Sequence, residues 1–391
     1  MHRVLVIGPT PFFSDRGCHI RIYEEARWLK RLGLEVRVLT YYAGQDPLGI
    51  ELVRSGRWVG YKKLEAGPSI RKPLADLSLL AGLRKEIKRY KPKILHCHLH
   101  EGAFIGLLGT IDEEIPVVLD YQGSLSGELS EHNRFFKALA ILNAVRKVER
   151  WINSKVDKIF LNCESLRKEL DKSIWEKSMV VGDGVDVQRF CPQEKNQELK
   201  ARLGLRDGVP VIVYLGLLNE YQGVDLLIES FSKLKAKGKR FQGLIMGYPL
   251  GLYMEKAKRK ELEQMVKFVG RVNYFEAERW LSLGDIGVAP KIARSESNGK
   301  ILNYMAMGLA TVCFDREVNK ELAGECAEYV KYVEGDREGN VERLALGIER
   351  LMEDSIRRKE LGEKGRERVE RLFSWEGVAE RILRGYQEII R

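Results

Sequence analysis

The side chains best suited to chemistry gather between Pro290 and Val312, where the chain reads PKIARSESNGKILNYMAMGLATV. This pattern predicts a strand ending at Val288-Ala289-Pro290, a polar loop with Ser295, Glu296, Ser297 and Asn298, and a helix whose first turn holds Lys300. Gly308 closes the helix before an apolar strand from Ala310 to Phe314. A loop feeding a helix N-terminus presents unpaired backbone N–H groups and a partial positive charge, which suits a phosphate or a sugar hydroxyl. Lys300 adds a full charge there. Lys291 and Arg294 lie in the same stretch, and Arg271 follows an expected strand at Val266–Gly270. Local pattern alone fits a solvated strand-to-helix connection capped by Ser297 or Asn298 better.

A second group of reactive side chains is the run His96-Cys97-His98-Leu99-His100. Histidines at alternate positions share one face of a strand, a pattern compatible with a metal ligand set. The six cysteines (18, 97, 163, 191, 313, 326) are scattered without a CxxC pair, as expected of reduced thiols in a cytosolic protein. No Ser-His-Asp or paired-carboxylate arrangement calls for a nucleophilic side chain.

These residues need a scaffold, and the periodicity supplies two doubly wound α/β units. The first runs through expected strands at Arg3–Gly8, Glu35–Thr40, Ile94–His98, Val117–Asp120 and Lys158–Asn162. Helical stretches such as Leu79–Arg89 and Phe135–Ile152 separate them. The second restarts at Val209–Gly216 and continues through Gly243–Gly247, Val266–Gly270, Gly287–Pro290, Thr311–Phe314 and Glu328–Val330. Short apolar strands alternating with helices indicate mostly parallel sheets. At 391 residues, with 44% hydrophobic and 31% charged residues, the chain is long enough for two cores and is neither disordered nor collagen-like. No apolar run reaches a membrane span, and the opening Val4-Leu5-Val6-Ile7-Gly8 reads as a buried strand rather than a signal peptide.

The formal net charge of +10 invites an anionic partner. Zinc-finger spacing and aromatic RNA-binding signatures are both missing, so no nucleic acid is expected. Phe135 to Ile152 places Phe135, Leu139, Leu142, Val145 and Ile152 at helical spacing, with Lys137, Arg146, Lys147 and Arg150 interleaved. Such a helix suits a peripheral membrane contact; it also suits a core-facing helix with solvated cations.

The stretch KILNYMAMGLATV closely resembles the C-terminal-domain signature of the GT-B glycosyltransferases, in particular the retaining family 4 enzymes that use nucleotide-sugar donors. The resemblance extends across the chain. The segment GDGVDVQRFCP (Gly182–Pro192) is similar to the family's interdomain segment, and Phe373-Ser374-Trp375 to the start of its last helix. Pro11 to Gly17 with Ile20-Arg21 resembles its first loop, where Gly17 would let the backbone approach the donor phosphates and acceptor. The YQGVD and KILNYMA forms point to a distinct subgroup.

The resemblance implies a GT-B architecture, two Rossmann-like domains facing an interdomain cleft that holds the active site. The expected division is 1–185 for an acceptor-side domain, 186–207 for a linker, 208–372 for a nucleotide-sugar domain and 373–391 for a helix returning to the first domain. The implied reaction moves a sugar from a nucleotide diphosphate sugar to the hydroxyl of a glycan or lipid-linked acceptor, with retention and with neither cofactor nor metal. The expected setting is cell-surface glycan or glycolipid synthesis, in the cytoplasm or at the inner membrane face. Lys300, Glu296 and Gln122 are implied at the reacting centre. Gly17, Gly216, Gln222, Arg271 and Lys291 are implied at the donor, together with Ser295, Ser297, Asn298, Gly299 and Asn303. Arg21, His98 and Ser124 fall on the acceptor side.

Several positions depart from the family pattern. Leu217 follows Gly216 where an Arg is usual, and Gln222 precedes Gly223 where a Lys is usual. Both cations that hold the donor diphosphate are therefore replaced. Ser295 and Asn303 take the two acidic positions, with Glu296 displaced by one, and Gln122 takes a histidine's place. A non-catalytic carbohydrate- or partner-binding protein on this fold stays open, as does a nucleotide-sugar 2-epimerase.

Overall fold

The computed structural model describes residues 2–57, 71–127, 139–293 and 297–390. The chain divides into two compact units: Met1–Asp183 with Ser295–Ser297 and Trp375–Arg391, and Gly184–Arg294 with Asn298–Ser374.

The first unit is built on a seven-stranded parallel sheet: β1 (Arg3–Gly8), β2 (Glu35–Thr40), β3 (Glu51–Arg54), β4 (Ile94–His98), β5 (Val117–Tyr121), β6 (Lys158–Leu161) and β7 (Ser178–Val180). The order is β3-β2-β1-β4-β5-β6-β7, so the winding reverses between β1 and β4. β4, β5 and β6 are buried at every position, as strands covered on both faces must be. The covering helices include α1 (Gly17–Arg31), α2 (Lys72–Tyr90), α3 (Leu99–Gly109) and α4 (Leu139–Lys155).

Some sequence expectations are corrected here. β3 and β7 are short outer strands with little buried apolar surface, so hydrophobic periodicity did not mark them. α2 begins at Lys72 rather than Leu79, with a proline in its first turn where a missing N–H costs nothing. His100 is not on the strand face of His96 and His98. The chain turns at Leu99, whose φ of 64° is left-handed, and His100 enters α3. Phe135 and Lys137 lie outside the described residues; in α4, Leu142 and Ile152 are buried while Arg146, Lys147 and Arg150 face outward.

The second unit holds β8 (Val211–Leu215), β9 (Gln242–Met246), β10 (Val266–Gly270), β11 (Ile286–Ala289), β12 (Ala310–Phe314) and β13 (Ala327–Val330). Their order, β10-β9-β8-β11-β12-β13, reverses between β8 and β11. α5 (Gln197–Leu203), α6 (Val224–Ala236), α7 (Gly251–Arg259), α8 (Ala277–Leu281), α9 (Lys300–Ala306), α10 (Glu317–Ala323), α11 (Arg337–Glu353) and α12 (Ser355–Leu372) complete it. Its core joins Ile212, Phe231, Val288, Val312, Leu344 and Ile348. After α12 the chain forms α13 (Trp375–Gln387), which belongs to the first unit. Among the described residues no helix is long and apolar enough to cross a membrane.

Candidate functional site

In open α/β sheets the crevice for a ligand lies beyond the strands' carboxyl ends, where the winding reverses. In the second unit that point is flanked by Gly216 after β8 and Pro290 after β11. The loops following the two strands are tied together by backbone: Ile292 and Ala293 donate to the Tyr221 carbonyl at 3.0 and 3.2 Å. Gly223, at φ 74°, makes the approach feasible, because a Cβ there would sit 1.9 Å from the Pro290 carbonyl oxygen. Behind them the Tyr304 hydroxyl accepts from Leu215 N at 2.9 Å and donates to Val288 O at 3.4 Å, joining the ends of β8 and β11. Burial pushes that hydroxyl's pKa up, so it stays protonated.

Lys300 rises into this frame as the first residue of α9. Its Nζ donates to Gln222 Oε1 at 2.5 Å and to Asn298 Oδ1 at 3.2 Å, and lies 5.5 Å from the centroid of the Tyr214 ring. Gly216, at φ 150°, leaves room for the lysine's stem: a Cβ would stand 3.1 Å from Lys300 Cε and 3.4 Å from Tyr214 Oη. Lys300, Gln222, Asn298 and Gly216 therefore meet as one group.

The capping expectation is corrected. α9 has seven residues, and its N-cap, Gly299, is helical with no side-chain cap. Asn298 instead donates to Asn319 Oδ1 at 2.9 Å, and Asn319 is held by a bond to the Phe314 carbonyl at 2.8 Å. The Ser297 hydroxyl donates to Asp183 Oδ2 at 3.0 Å within the first unit. Asn303 sits one turn along α9, its N–H 3.4 Å from the Gly299 carbonyl. Lys291 is 3% exposed directly after Pro290. Arg271 follows β10, two strands from β8, with its guanidinium carbon 5.5 Å from the Tyr248 ring. Arg294, Ser295 and Glu296 lie outside the described residues.

In the first unit, α1 places Arg21 and Glu25 one turn apart on the same face, opposite His96 and His98 of β4 and Asp120 of β5. Arg21 grips Asp120 with Nε at 3.0 Å from both carboxylate oxygens and Nη2 at 2.8 Å from Oδ2. Its Nη2 is 2.9 Å from Glu25 Oε1, and its Nη1 donates to the Gly182 carbonyl at 2.8 Å. All five side chains are buried. Burial alone would raise Asp120's pKa, yet the Arg21 charge and the neighbouring histidines hold it well below the usual carboxylate range. Glu25 is pushed well up, chiefly by burial, and burial holds His98 neutral. The ionised pair is therefore Arg21–Asp120.

The Gln122 amide lies 3.0 Å from His98 Nδ1. Ser124 Oγ lies 3.0 Å from Ser126 Oγ and donates to Glu149 Oε2 at 3.4 Å, in a separate group with Tyr121. His100 Nε2 is 3.2 Å from Asn153 Oδ1. Gly17 opens α1, and a Cβ there would meet no protein atom within 4 Å. Sequence reasoning missed Glu25, Tyr214, Tyr304 and Asn319. Glu25 stands four residues from Arg21, a helical spacing that signals a shared face, whereas Tyr214 and Tyr304 sit in largely apolar stretches and no local pattern marks Asn319.

Residues 16–189 match the family model Glycosyltransferase Family 4, and residues 195–368 match Glycosyl transferases group 1. A GDP-mannose-dependent monoacylated alpha-(1-6)-phosphatidylinositol monomannoside mannosyltransferase of Corynebacterium glutamicum is 32% identical over 212 residues, 51% of this chain and 53% of that protein. This chain thus aligns with about half the length of that relative. Sulfoquinovosyl transferase SQD2 of Arabidopsis thaliana is 22% identical, over 97% of this chain and 72% of that one. Among solved structures, sucrose-phosphate synthase from Thermosynechococcus elongatus superposes with a TM-score of 0.83 at 16% identity, covering 100% of this chain and 99% of that one. Anabaena Alr3699/HepE in complex with UDP and glucose superposes at 0.79 with 14% identity, covering 99% and 100%. These likenesses establish the fold.

Proposed function

We propose that this chain, a GT-B glycosyltransferase composed of a Glycosyltransferase Family 4 domain and a Glycosyl transferases group 1 domain, transfers a sugar from a nucleotide diphosphate sugar to an acceptor hydroxyl with retention of configuration. The observation that carries this reading is Lys300, set by Gly216, Gln222 and Asn298 at the point where the second sheet's winding reverses. In the proposed step the bond from the anomeric carbon to the donor phosphate breaks as the acceptor oxygen bonds on the same face. The departing phosphate takes the acceptor's proton. The protein contributes positioning and stabilisation of charge on the leaving diphosphate, with the Lys300 ammonium where that charge grows. No metal takes part. Residues 1–185 form the acceptor side and 208–372 the donor side, joined by 186–207, with 373–391 returning to the first.

A lipid-linked or surface-glycan acceptor at the inner membrane face is supported by α4. Val148 and Trp151 are 47% and 43% exposed beside Arg146, Lys147 and Arg150, and Phe104 of α3 stacks edge-on against Trp151 at 6.0 Å. Apolar anchors ringed by cations suit an anionic headgroup layer.

The test is nucleotide-diphosphate release from a panel of nucleotide sugars, with acceptor present, by the wild type and Lys300→Ala. Release with one donor that collapses in the variant supports the reading. Donor binding without release overturns it in favour of a carbohydrate-binding role.

A further inference from the structure

The buried group in the first unit holds more ligating atoms than its internal bonds use. Glu25, His96, His98 and Asp120 each offer one ligand atom, and these four atoms lie within 4.8 Å of one another. His96 Nε2 is 3.4 Å from Glu25 Oε2 and 3.7 Å from Asp120 Oδ2, and His98 Nε2 is 3.6 Å from Glu25 Oε2. None of Glu25 Oε2, His96 Nε2 and His98 Nε2 makes a hydrogen bond among the described residues, although Glu25, His96 and His98 are at most 1% exposed. Buried polar atoms are ordinarily paired at hydrogen-bond geometry, so three that lack it within 4.8 Å of one another call for an explanation.

The geometry points to a binding site for a divalent transition metal of the zinc class, with His96, His98, Glu25 and Asp120 as its ligands. Tetrahedral zinc with metal–ligand bonds of about 2.0–2.2 Å separates its ligand atoms by roughly 3.3–3.6 Å. The three distances above already match that edge or exceed it slightly. Imidazole and carboxylate together suit zinc-class ions rather than magnesium or calcium.

The outer contacts fit as well. A ligating imidazole normally donates its other ring N–H to an oxygen. His96 Nδ1 lies 2.5 Å from the Tyr386 hydroxyl, and His98 Nδ1 lies 3.0 Å from the Gln122 amide. Rotating that amide end for end presents its oxygen, an assignment that geometry leaves interchangeable. Charge would close as well once an ion displaces the Glu25 proton: the carboxylates of Glu25, Asp120 and Asp183 would balance the Arg21 guanidinium and a divalent ion, with Arg21 already 2.9, 2.8 and 3.5 Å from the three. Such an ion would tie α1 to β4 and β5. The inference is independent of the transfer reaction.

The experiment frees the protein of metal with a chelator and titrates it with cobalt(II). The expected result is saturation at a single equivalent with the strong visible bands of four-coordinate cobalt. His98→Ala abolishes those bands, Gln122→Leu weakens binding ~10–100-fold, and His100→Gln leaves it unchanged. X-ray absorption of the wild-type cobalt form reports two imidazole ligands, so the inference is decided even if His98→Ala does not fold. A wild type with only the weak bands of hydrated cobalt, fewer than two imidazoles, or equal binding by folded His98→Ala overturns it.

Discussion

Lys300 and Gln222 form a 2.5 Å hydrogen bond across 78 residues of sequence, at the meeting point of the loops that follow β8 and β11. Gln222 stands where the family resemblance leads one to expect a lysine, and it accepts from a lysine supplied by another segment. The cation at this edge of the second sheet is therefore oriented from α9, and the neutral amide is what permits its close approach. A second ammonium at position 222 would repel it.

Lys300→Ala should lower the turnover of donor by ~10²–10³-fold, the usual cost of losing one preorganised partner of a developing charge. Initial rates of nucleotide-diphosphate release at saturating donor measure it. A loss below threefold would remove Lys300 from the reacting centre.

Gln222→Lys tests the same pair from the other side. Restoring the family residue should reduce activity, because two like charges would compete for a space that now holds a hydrogen bond. In Lys300→Gln/Gln222→Lys the charge is exchanged, and part of the lost activity should return. A double-mutant cycle gives the coupling, expected at about 0.5–3 kcal/mol for residues in direct contact. Additive effects would show the contact to be incidental.

Gly223→Ala should destabilise the second unit. The φ of 74° is left-handed, and the new methyl would press on the Pro290 carbonyl at 1.9 Å. The conformational term alone is about 1–2 kcal/mol, and the clash adds to it. Thermal unfolding should fall by several degrees, at ~2–4 °C per kcal/mol for domains of this size. Gly17→Ala, where a Cβ meets no protein atom, should leave the melting temperature unchanged.

Arg21→Met should cost about 3–5 kcal/mol, since Asp120 would be left charged and buried without its partner. Arg21→Met/Asp120→Leu should recover much of that loss, because the penalty lies in the orphaned charge rather than in the missing bond. Denaturant unfolding of the three proteins separates the terms. If the double variant is no more stable than Arg21→Met, the loss comes instead from the bond to the Gly182 carbonyl.

Binding to vesicles containing anionic lipid should weaken at high salt and fall in Arg146→Glu/Lys147→Glu/Arg150→Glu. Trp151→Ser should weaken it at every salt concentration, because its contribution is apolar. Sedimentation with phosphatidylserine vesicles measures both. Equal binding by neutral and anionic vesicles would show that the cations are simply solvated.

Much of the fold was legible in the chain itself. Val4–Ile7 is apolar at every position and Ala310–Phe314 at all but Thr311, and only strands covered on both faces sustain that pattern. The recurrence of such runs with helices between them indicated two parallel sheets. The stretch from Lys300 to Phe314 showed its helix, its closing glycine and its strand for the same local reason. β3 and β7 were hidden because short strands with little buried surface carry no periodicity to read.

The partnerships at the sites belonged to tertiary structure. Local pattern identified Lys300 as a cation near a helix start, but only the sheet order, which sets β8 beside β11, brought Gln222 and Gly216 to it. Asn298 read as a helix cap, yet it bonds Asn319 because the packing of α9 and α10 offers a better-placed acceptor. Glu25 drew no notice, since a glutamate on a helix is ordinarily solvated; burial against β4 and β5 set it among two histidines and an aspartate. Backbone preference and hydrophobic period act over a few residues, so a sequence displays them directly. Distances between side chains far apart in the chain are set by strand order and crossover packing, which exist only once the chain has folded.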